Sequence, residues 1–154
     1  MIHAPATATA AAVVLAMLSA PGLRADLAKA KTEANLDRRA RLALDNAAAA
    51  MRSVSQLYRA GDWDKTAAAL AEVNESVVLA YASLRETNRN PRNSSQFKNL
   101  EIKTRELLRN LEDFRQTLSL EEREKAMPVV DNIRKIHDEV LNSVMGVTKW
   151  SPKR

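Results

Sequence analysis

The residue best suited to catalysis or metal binding is His137, because the chain has no cysteine and its other histidine lies near the amino terminus. A metal-binding histidine on a helix needs a second ligand about three or four residues away. The residues at those positions are Ile133, Arg134, Val140 and Leu141, and none of them binds metal. Arg134 also stands where a di-iron bundle carries the Glu of its Glu-x-x-His segment. We therefore predict no metal site, and we interpret His137 as a residue at the edge of a helix interface.

Three pairs of adjacent carboxylates could supply a general acid and a general base. They are Glu112-Asp113, Glu121-Glu122 and Asp138-Glu139, and each pair lies among Arg and Lys residues at helical spacing. That mixture is typical of a solvated helix face with surface ion pairs. The sequence also has no glycine-rich phosphate loop. We predict no catalytic residue, no cofactor and no enzyme activity, with an enzyme of unrecognised type as the last alternative.

Basic residues cluster around one predicted loop, at Arg85, Arg89, Arg92 and Lys98. The net charge of +5 would suit a nucleic-acid partner. The charges elsewhere are mixed, however, and the loop has no aromatic side chain on which a base could stack. We therefore expect no nucleic-acid partner. The cluster predicts only a weak contact with an anionic surface, at about 1 kcal/mol per basic residue.

The first 25 residues resemble a secretory signal peptide. An apolar run from Ala10 to Ala20 is followed by Pro21-Gly22 and then by the small-residue site ending at Ala25. The run is too short to cross a bilayer, which takes roughly 20 apolar residues. We expect cleavage after Ala25 and export to the periplasm or the medium. The mature protein should then have no transmembrane span.

The composition predicts an all-α fold. Only three Gly and five Pro accompany 45% hydrophobic residues, many of them Ala, and the aromatic content of 4% argues against a β-sandwich. We expect residues 26–146 to form one domain, a four-helix up-and-down bundle with a long first helical hairpin. Residues 147–154 are expected to form a flexible tail.

The hydrophobic spacing places the first helix at about Leu27 to Ala60 and the second at about Trp63 to Thr87. The opening stretch, 26–37, is weakly patterned and is expected to project as an arm. Between the two helices, Gly61 suits a left-handed position and Asp62 suits a helix cap.

The third helix is expected from about Phe97 to Leu118, where large apolar residues recur every three or four positions. Ser119 with Glu122 predicts a capping box at the next helix. Pro128 is expected to break or kink that helix, leaving a short helix before it and a last helix from about Pro128 to Val144, ended by Gly146.

The stretch from Ser76 to Leu84 carries no charge. This pattern favours either the most buried helix of the bundle or a helix that contacts a partner. We predict an interaction surface in this stretch, for a homodimer or for a protein client. Its residues are Val77, Val78, Leu79, Tyr81 and Leu84.

One segment resembles the LTxxQ segment of small periplasmic proteins of the Spy and CpxP type. It runs Leu118-Ser119-Leu120-Glu121-Glu122-Arg123 and continues with Pro128-Val129-Val130, with Ser119 in the Thr position and Glu122 in the Gln position. Those proteins are exported, helical, free of Cys and of similar size. The resemblance implies a periplasmic chaperone or an envelope-stress sensor. The same letters also fit a helix cap, so both interpretations stay open.

More broadly, the chain resembles exported helical proteins of Ala- and Arg-rich bacteria. The function expected from these patterns is non-enzymatic, with the exported bundle binding a protein or a surface. The chaperone or stress sensor is the alternative within the same class.

Overall fold

The computed structural model describes residues 22–148, which form five α-helices and no strand. The predicted all-α class is confirmed, whereas these residues form five α-helices rather than the four expected. The helices are α1 (Gly22–Thr32), α2 (Leu36–Arg59), α3 (Trp63–Glu86), α4 (Ser95–Thr117) and α5 (Leu120–Met145), with a 3-10 turn at Pro91–Asn93. Most of the expected signal segment and of the expected tail lies outside the described residues.

The single first helix that the sequence predicted is divided into α1 and α2. Asn35 caps α2, because its side chain accepts a hydrogen bond from the backbone N–H of Arg38 at 2.9 Å. The preceding helix folds back onto α2 and buries Leu27 and Ala30. The expectation of a projecting arm at 26–37 is therefore wrong. The cleavage position predicted after Ala25 lies within α1, just before these buried residues.

The turn between α2 and α3 follows the predicted chemistry. Gly61 adopts a positive φ of 75°, which favours glycine. Asp62 caps α3 by accepting from the backbone N–H of Lys65 at 3.0 Å. The observed bounds of α3 agree with the expected second helix to within one residue.

The capping box at the start of α5 is confirmed. The backbone N–H of Ser119 donates to Glu122 at 2.9 Å, and the backbone N–H of Glu122 donates to the Ser119 hydroxyl at 3.4 Å. The predicted break at Pro128 is wrong, because α5 continues through it as one helix to Met145. Pro128 is exposed, so its ring occupies solvent rather than the helix interface. Gly146 ends α5 with a positive φ of 74°, as expected.

The helices pack with α3 at the centre, since α3 contacts each of the other four described α-helices. Hydrogen bonds from Tyr81 to Glu139 and from Asn132 to Asn74 show that α3 and α5 run parallel. Helices α2 and α3 form an antiparallel hairpin around Gly61, and α4 lies beside both α2 and α5. The five largest fully buried side chains come from α3, α4 and α5, and they are Leu84, Phe97, Leu100, Leu111 and Ile133.

Candidate binding groove

The interaction surface predicted on α3 is divided between core and surface. Val77 and Leu84 are buried, whereas Val78 is 41% exposed. Leu79 and Tyr81 are half-buried and pack against the core, and the Tyr81 hydroxyl donates to Glu139 at 2.9 Å. The missing charge from Ser76 to Leu84 follows from the central place of α3. What remains open on this stretch is centred on Val78.

The basic residues of the predicted anionic-surface contact have different surroundings. Arg89 forms an ion pair with Asp37 at 2.8 Å. The guanidinium of Arg85 lies 5.9 Å from the centre of the Tyr81 ring. Arg92 packs against Gly146, while Lys98 is exposed. The four side chains therefore do not form one uniform cationic patch.

An open groove of about 680 Å³ lies along the seam between α2 and α4. Buried apolar side chains form its floor, and charged side chains line both rims. The floor includes Leu44, Met51, Leu107 and Phe114; the α2 rim includes Arg52 and Arg59; the α4 rim includes Lys103, Glu106 and Asp113. We call this feature the α2–α4 groove. It combines an apolar base with a polar border, as binding sites commonly do.

Small residues on α2 explain why the seam is open. The groove-lining positions of α2 alternate large and small side chains at spacings of four and three, as Leu44, Ala48, Met51, Ser55 and Tyr58. Such spacing places all five on one helical face. The small side chains of Ala48 and Ser55 leave two spaces along this face. Each space lies between the larger side chains that precede and follow it. Contact between α2 and α4 is accordingly sparse beside the close packing of α2 on α3.

The groove continues toward the other end of α2 as a more polar depression of about 520 Å³. The two parts share Leu44, and the polar part is lined by Asn35, Asp37, Arg38, Arg41, Ser95, Gln96 and Asn99. The open seam therefore extends along most of α2, and its lining is more polar in the half near Asn35.

Aromatic packing closes the apolar end of the groove. The Tyr58 ring meets Phe114 edge to face at 5.4 Å and Trp63 at 6.4 Å between ring centres. The Tyr58 hydroxyl donates to Glu122 at 3.0 Å, and this hydrogen bond raises the pKa of Tyr58. The pKa of Glu122 is lowered, first by hydrogen bonds from Ser119 and then by the one from Tyr58. The tyrosine thereby connects α2 to the start of α5.

Three arginines along the α2 rim carry unpaired charge. Among residues 22–148, the side chains of Arg41, Arg52 and Arg59 make no hydrogen bond or ion pair. Their spacing of 11 and 7 residues keeps them on one line of the helix surface. On the α4 rim, Lys103 pairs with Glu106 at 3.5 Å, whereas Asp113 has no ion-pair partner among residues 22–148. The α2 rim is therefore a row of cations with no partner in the described fold.

His137 lies in a half-buried position between α4 and α5. Its Nε2 is 3.2 Å from Glu101, and its Nδ1 is 3.3 Å from Asp138. This agrees with the predicted place at a helix interface. Two of the carboxylate pairs also contribute to surface ion pairs, with Glu112 next to Arg115 and Glu121 next to Lys125. Within the described part of the chain, no group of three potential ligands could hold a metal ion.

A buried polar cluster, which the sequence did not reveal, joins α2 to α3. The Asn46 amide donates to Glu72 at 3.0 Å and to the Ser76 hydroxyl at 2.9 Å. All three residues are buried, and the Asn46 carbonyl oxygen has no hydrogen-bond partner. The groove was missed as well. Its sequence signal was the pair of small residues, Ala48 and Ser55, within the apolar stripe of α2.

No protein-family model, curated protein or solved structure matches this chain. None of the helices between residues 22 and 148 has the length and apolar content that a membrane crossing requires.

Proposed function

We propose that this chain is an exported, non-enzymatic helical protein that binds another protein through the α2–α4 groove. The observation that supports the proposal is the open apolar floor between α2 and α4. Elsewhere α2 packs closely on α3, and α4 packs on α5. The volume of about 680 Å³ falls within the usual range of binding pockets. In this proposal α2 to α5 act as a four-helix up-and-down bundle, and α1 supports α2.

The export part of the proposal is based on the amino-terminal sequence. The apolar run from Ala10 to Ala20 and the small-residue site before Asp26 resemble a signal peptide. In this proposal the protein meets its partners outside the cytoplasm.

Site-specific crosslinking tests the binding function. A photoreactive phenylalanine analogue is placed at Ala48, within the groove, and in a matched protein at Ala68, which is exposed on α3. After irradiation in the native host, we expect discrete adducts of defined mass from position 48 and none from position 68. Equal adducts from both positions, or none from position 48, would contradict a specific groove.

A chaperone of the Spy and CpxP type is the second candidate, because an open apolar groove could hold unfolded chain. The segment that carries the resemblance forms the cap of α5, with Ser119 and Glu122 bonded to each other. Suppression of client aggregation distinguishes the two candidates. A chaperone should protect several unrelated unfolded proteins, and Ala48→Trp should abolish that protection while Ala68→Trp leaves it. Failure to protect any client leaves only the specific binding function.

A further inference from the structure

We infer that the partner held by the α2–α4 groove is an amphipathic α-helix with acidic residues along one flank, recognised by Arg41, Arg52 and Arg59. This inference depends on the proposed binding function and names the class of partner. The observations behind it are the shape of the floor and the unpaired charge of one rim.

The floor has the spacing that a helix requires. The small residues Ala48 and Ser55 are separated by two helical turns, about 10 Å at the usual rise per residue. Large side chains that recur every seven residues on a facing helix have the same separation. Two such side chains could enter the spaces at Ala48 and Ser55, between the flanking Leu44, Met51 and Tyr58. The apolar floor therefore fits the apolar stripe of a helix, and a helix that also reaches from Arg41 to Arg59 is at least about five turns long.

The positive charge of the α2 rim indicates that the partner helix carries negative charge. Arg41, Arg52 and Arg59 lie along the outer edge of α2 and have no ion-pair partner among residues 22–148. Carboxylates along one flank of the partner helix could form ion pairs with these three arginines. Complementary charge of this kind favours the correct pairing of two surfaces. The α4 rim is mixed, with Lys103 beside Glu106 and with Asp113. The acidic flank of the partner should therefore face α2 rather than α4.

Other anionic occupants fit the groove less well. Arg41 and Arg59 are about 27 Å apart along the helix, by the usual rise per residue. A fatty acid has a single carboxylate and could meet only one of these arginines. A nucleic acid would bring its phosphates close to Glu106 and Asp113, and it would cover an apolar floor that offers it little. An amphipathic helix with an acidic flank could cover the apolar floor and also form ion pairs with all three arginines.

Two synthetic helical peptides test the inference with the full-length protein. Both are about 21 residues long and carry Leu on one heptad stripe and Gln along one flank, and the other flank carries Glu in one peptide and Lys in the other. Binding is measured by fluorescence anisotropy at low and at physiological salt. We expect the Glu peptide to bind at least about ten-fold more tightly than the Lys peptide, and the difference to shrink as salt screens the charges.

Charge-reversal variants test the arginines themselves. Arg52→Glu/Arg59→Glu should weaken the Glu peptide about ten-fold and strengthen the Lys peptide. The matched control is Arg109→Glu/Lys135→Glu, which changes the charge equally at two exposed residues outside the groove. The control should leave both affinities within about two-fold. Circular dichroism verifies that each variant is folded, and the gain of Lys-peptide binding is a result that unfolding cannot produce.

The possible results separate the inference from the proposed function. Equal binding of the two peptides, abolished in both by Ala48→Trp, would overturn the acidic partner while leaving a groove that binds helices. No binding of the Glu peptide would also overturn the inference, and the crosslinks at position 48 would then decide the proposed function alone. Displacement of the Glu peptide by laurate at a far lower concentration than by unlabelled peptide would assign the groove to fatty acids instead.

Discussion

At the scale of single residues, the buried Asn46–Glu72–Ser76 cluster holds α2 against α3 with polar contacts. A buried carboxylate needs hydrogen-bond donors, and the Asn46 amide provides one at 3.0 Å. The amide also donates to Ser76, so one side chain satisfies two groups. The cluster therefore joins the two helices of the hairpin by buried hydrogen bonds, at a cost in desolvation.

Removing the amide alone should destabilise the protein more than removing the Asn46 amide and the Glu72 carboxylate together. Asn46→Ala should lower the free energy of unfolding by about 1–3 kcal/mol, because Glu72 loses its buried donor. Asn46→Leu/Glu72→Leu should be closer to wild type, since no buried charge remains. Urea unfolding of the three proteins measures both effects. A loss below about 0.5 kcal/mol for Asn46→Ala would mean that water reaches Glu72.

Glu122 should contribute less to the free energy of unfolding as the pH becomes acidic. Hydrogen bonds from Ser119 and Tyr58 lower its pKa in the folded state below the ordinary value of 4.5. A carboxyl with a lowered pKa stabilises the fold above its unfolded pKa, and this contribution is lost as pH falls through the folded pKa. Glu122→Gln should therefore melt below wild type at neutral pH, with a gap that narrows under pH 4.5.

Thermal melts over a series of pH values measure this gap. The matched control is Glu124→Gln, because Glu124 is exposed and makes no ion pair within the described residues. The control should follow wild type at each pH. A gap for Glu122→Gln that stays constant down to strongly acidic pH would remove the role assigned to the carboxylate.

Helix α5 contains a proline, Pro128, in its interior. Pro128 has no N–H to donate to the carbonyl of Glu124, and a proline inside a helix costs about 3 kcal/mol relative to alanine. The helix persists because Ala126 and Val130 are buried on either side of it. Tertiary packing therefore outweighs the local preference.

Replacing this proline should stabilise the protein. Pro128→Ala restores one helical hydrogen bond and should raise the free energy of unfolding by about 1–3 kcal/mol. Lys135→Ala, at another exposed position of α5, should change it by less than about 0.5 kcal/mol. Chemical denaturation compares the two. An unchanged or lower stability for Pro128→Ala would mean that the proline does not destabilise α5.

Signals that span three or four residues predicted the element boundaries well. Gly61 and Asp62 form the turn between α2 and α3, and Ser119 begins α5, because capping depends on near neighbours. The break before Asn35 was missed: the Asn35 cap is a local signal that was overlooked, whereas the burial of Leu27 against α2 depends on the tertiary fold. The groove could not be predicted either. Ala48 and Ser55 are visible as small residues, but their neighbour α4 is determined only by the tertiary fold.

The predicted export determines where the mature protein begins. Protein recovered from the native host should begin at Asp26, one residue before the buried Leu27. Intact mass and cell fractionation measure this directly. A soluble cytoplasmic product that retains Met1 would contradict the export prediction.

The exposed part of α3 tests the predicted homodimer. Val78 is 41% exposed, so Val78→Glu should leave the helix content unchanged. If two copies associate through this face, the charge should weaken their association, because a contact would bury it. Ile102→Glu, at an exposed position on α4, is the matched control and should not alter association. Sedimentation that shows monomeric wild type at high concentration would exclude this dimer.

The aromatic end of the groove gives the protein an intrinsic optical signal. Trp63 is the one tryptophan of residues 22–148, and its ring lies 6.4 Å from that of Tyr58, which lines the groove. An occupant that covers Tyr58 removes water from this ring pair and should shift the indole emission to shorter wavelength. In a Trp150→Phe background the emission would come from Trp63 alone. Occupancy of the groove could then be followed by its own fluorescence, without a label on either molecule.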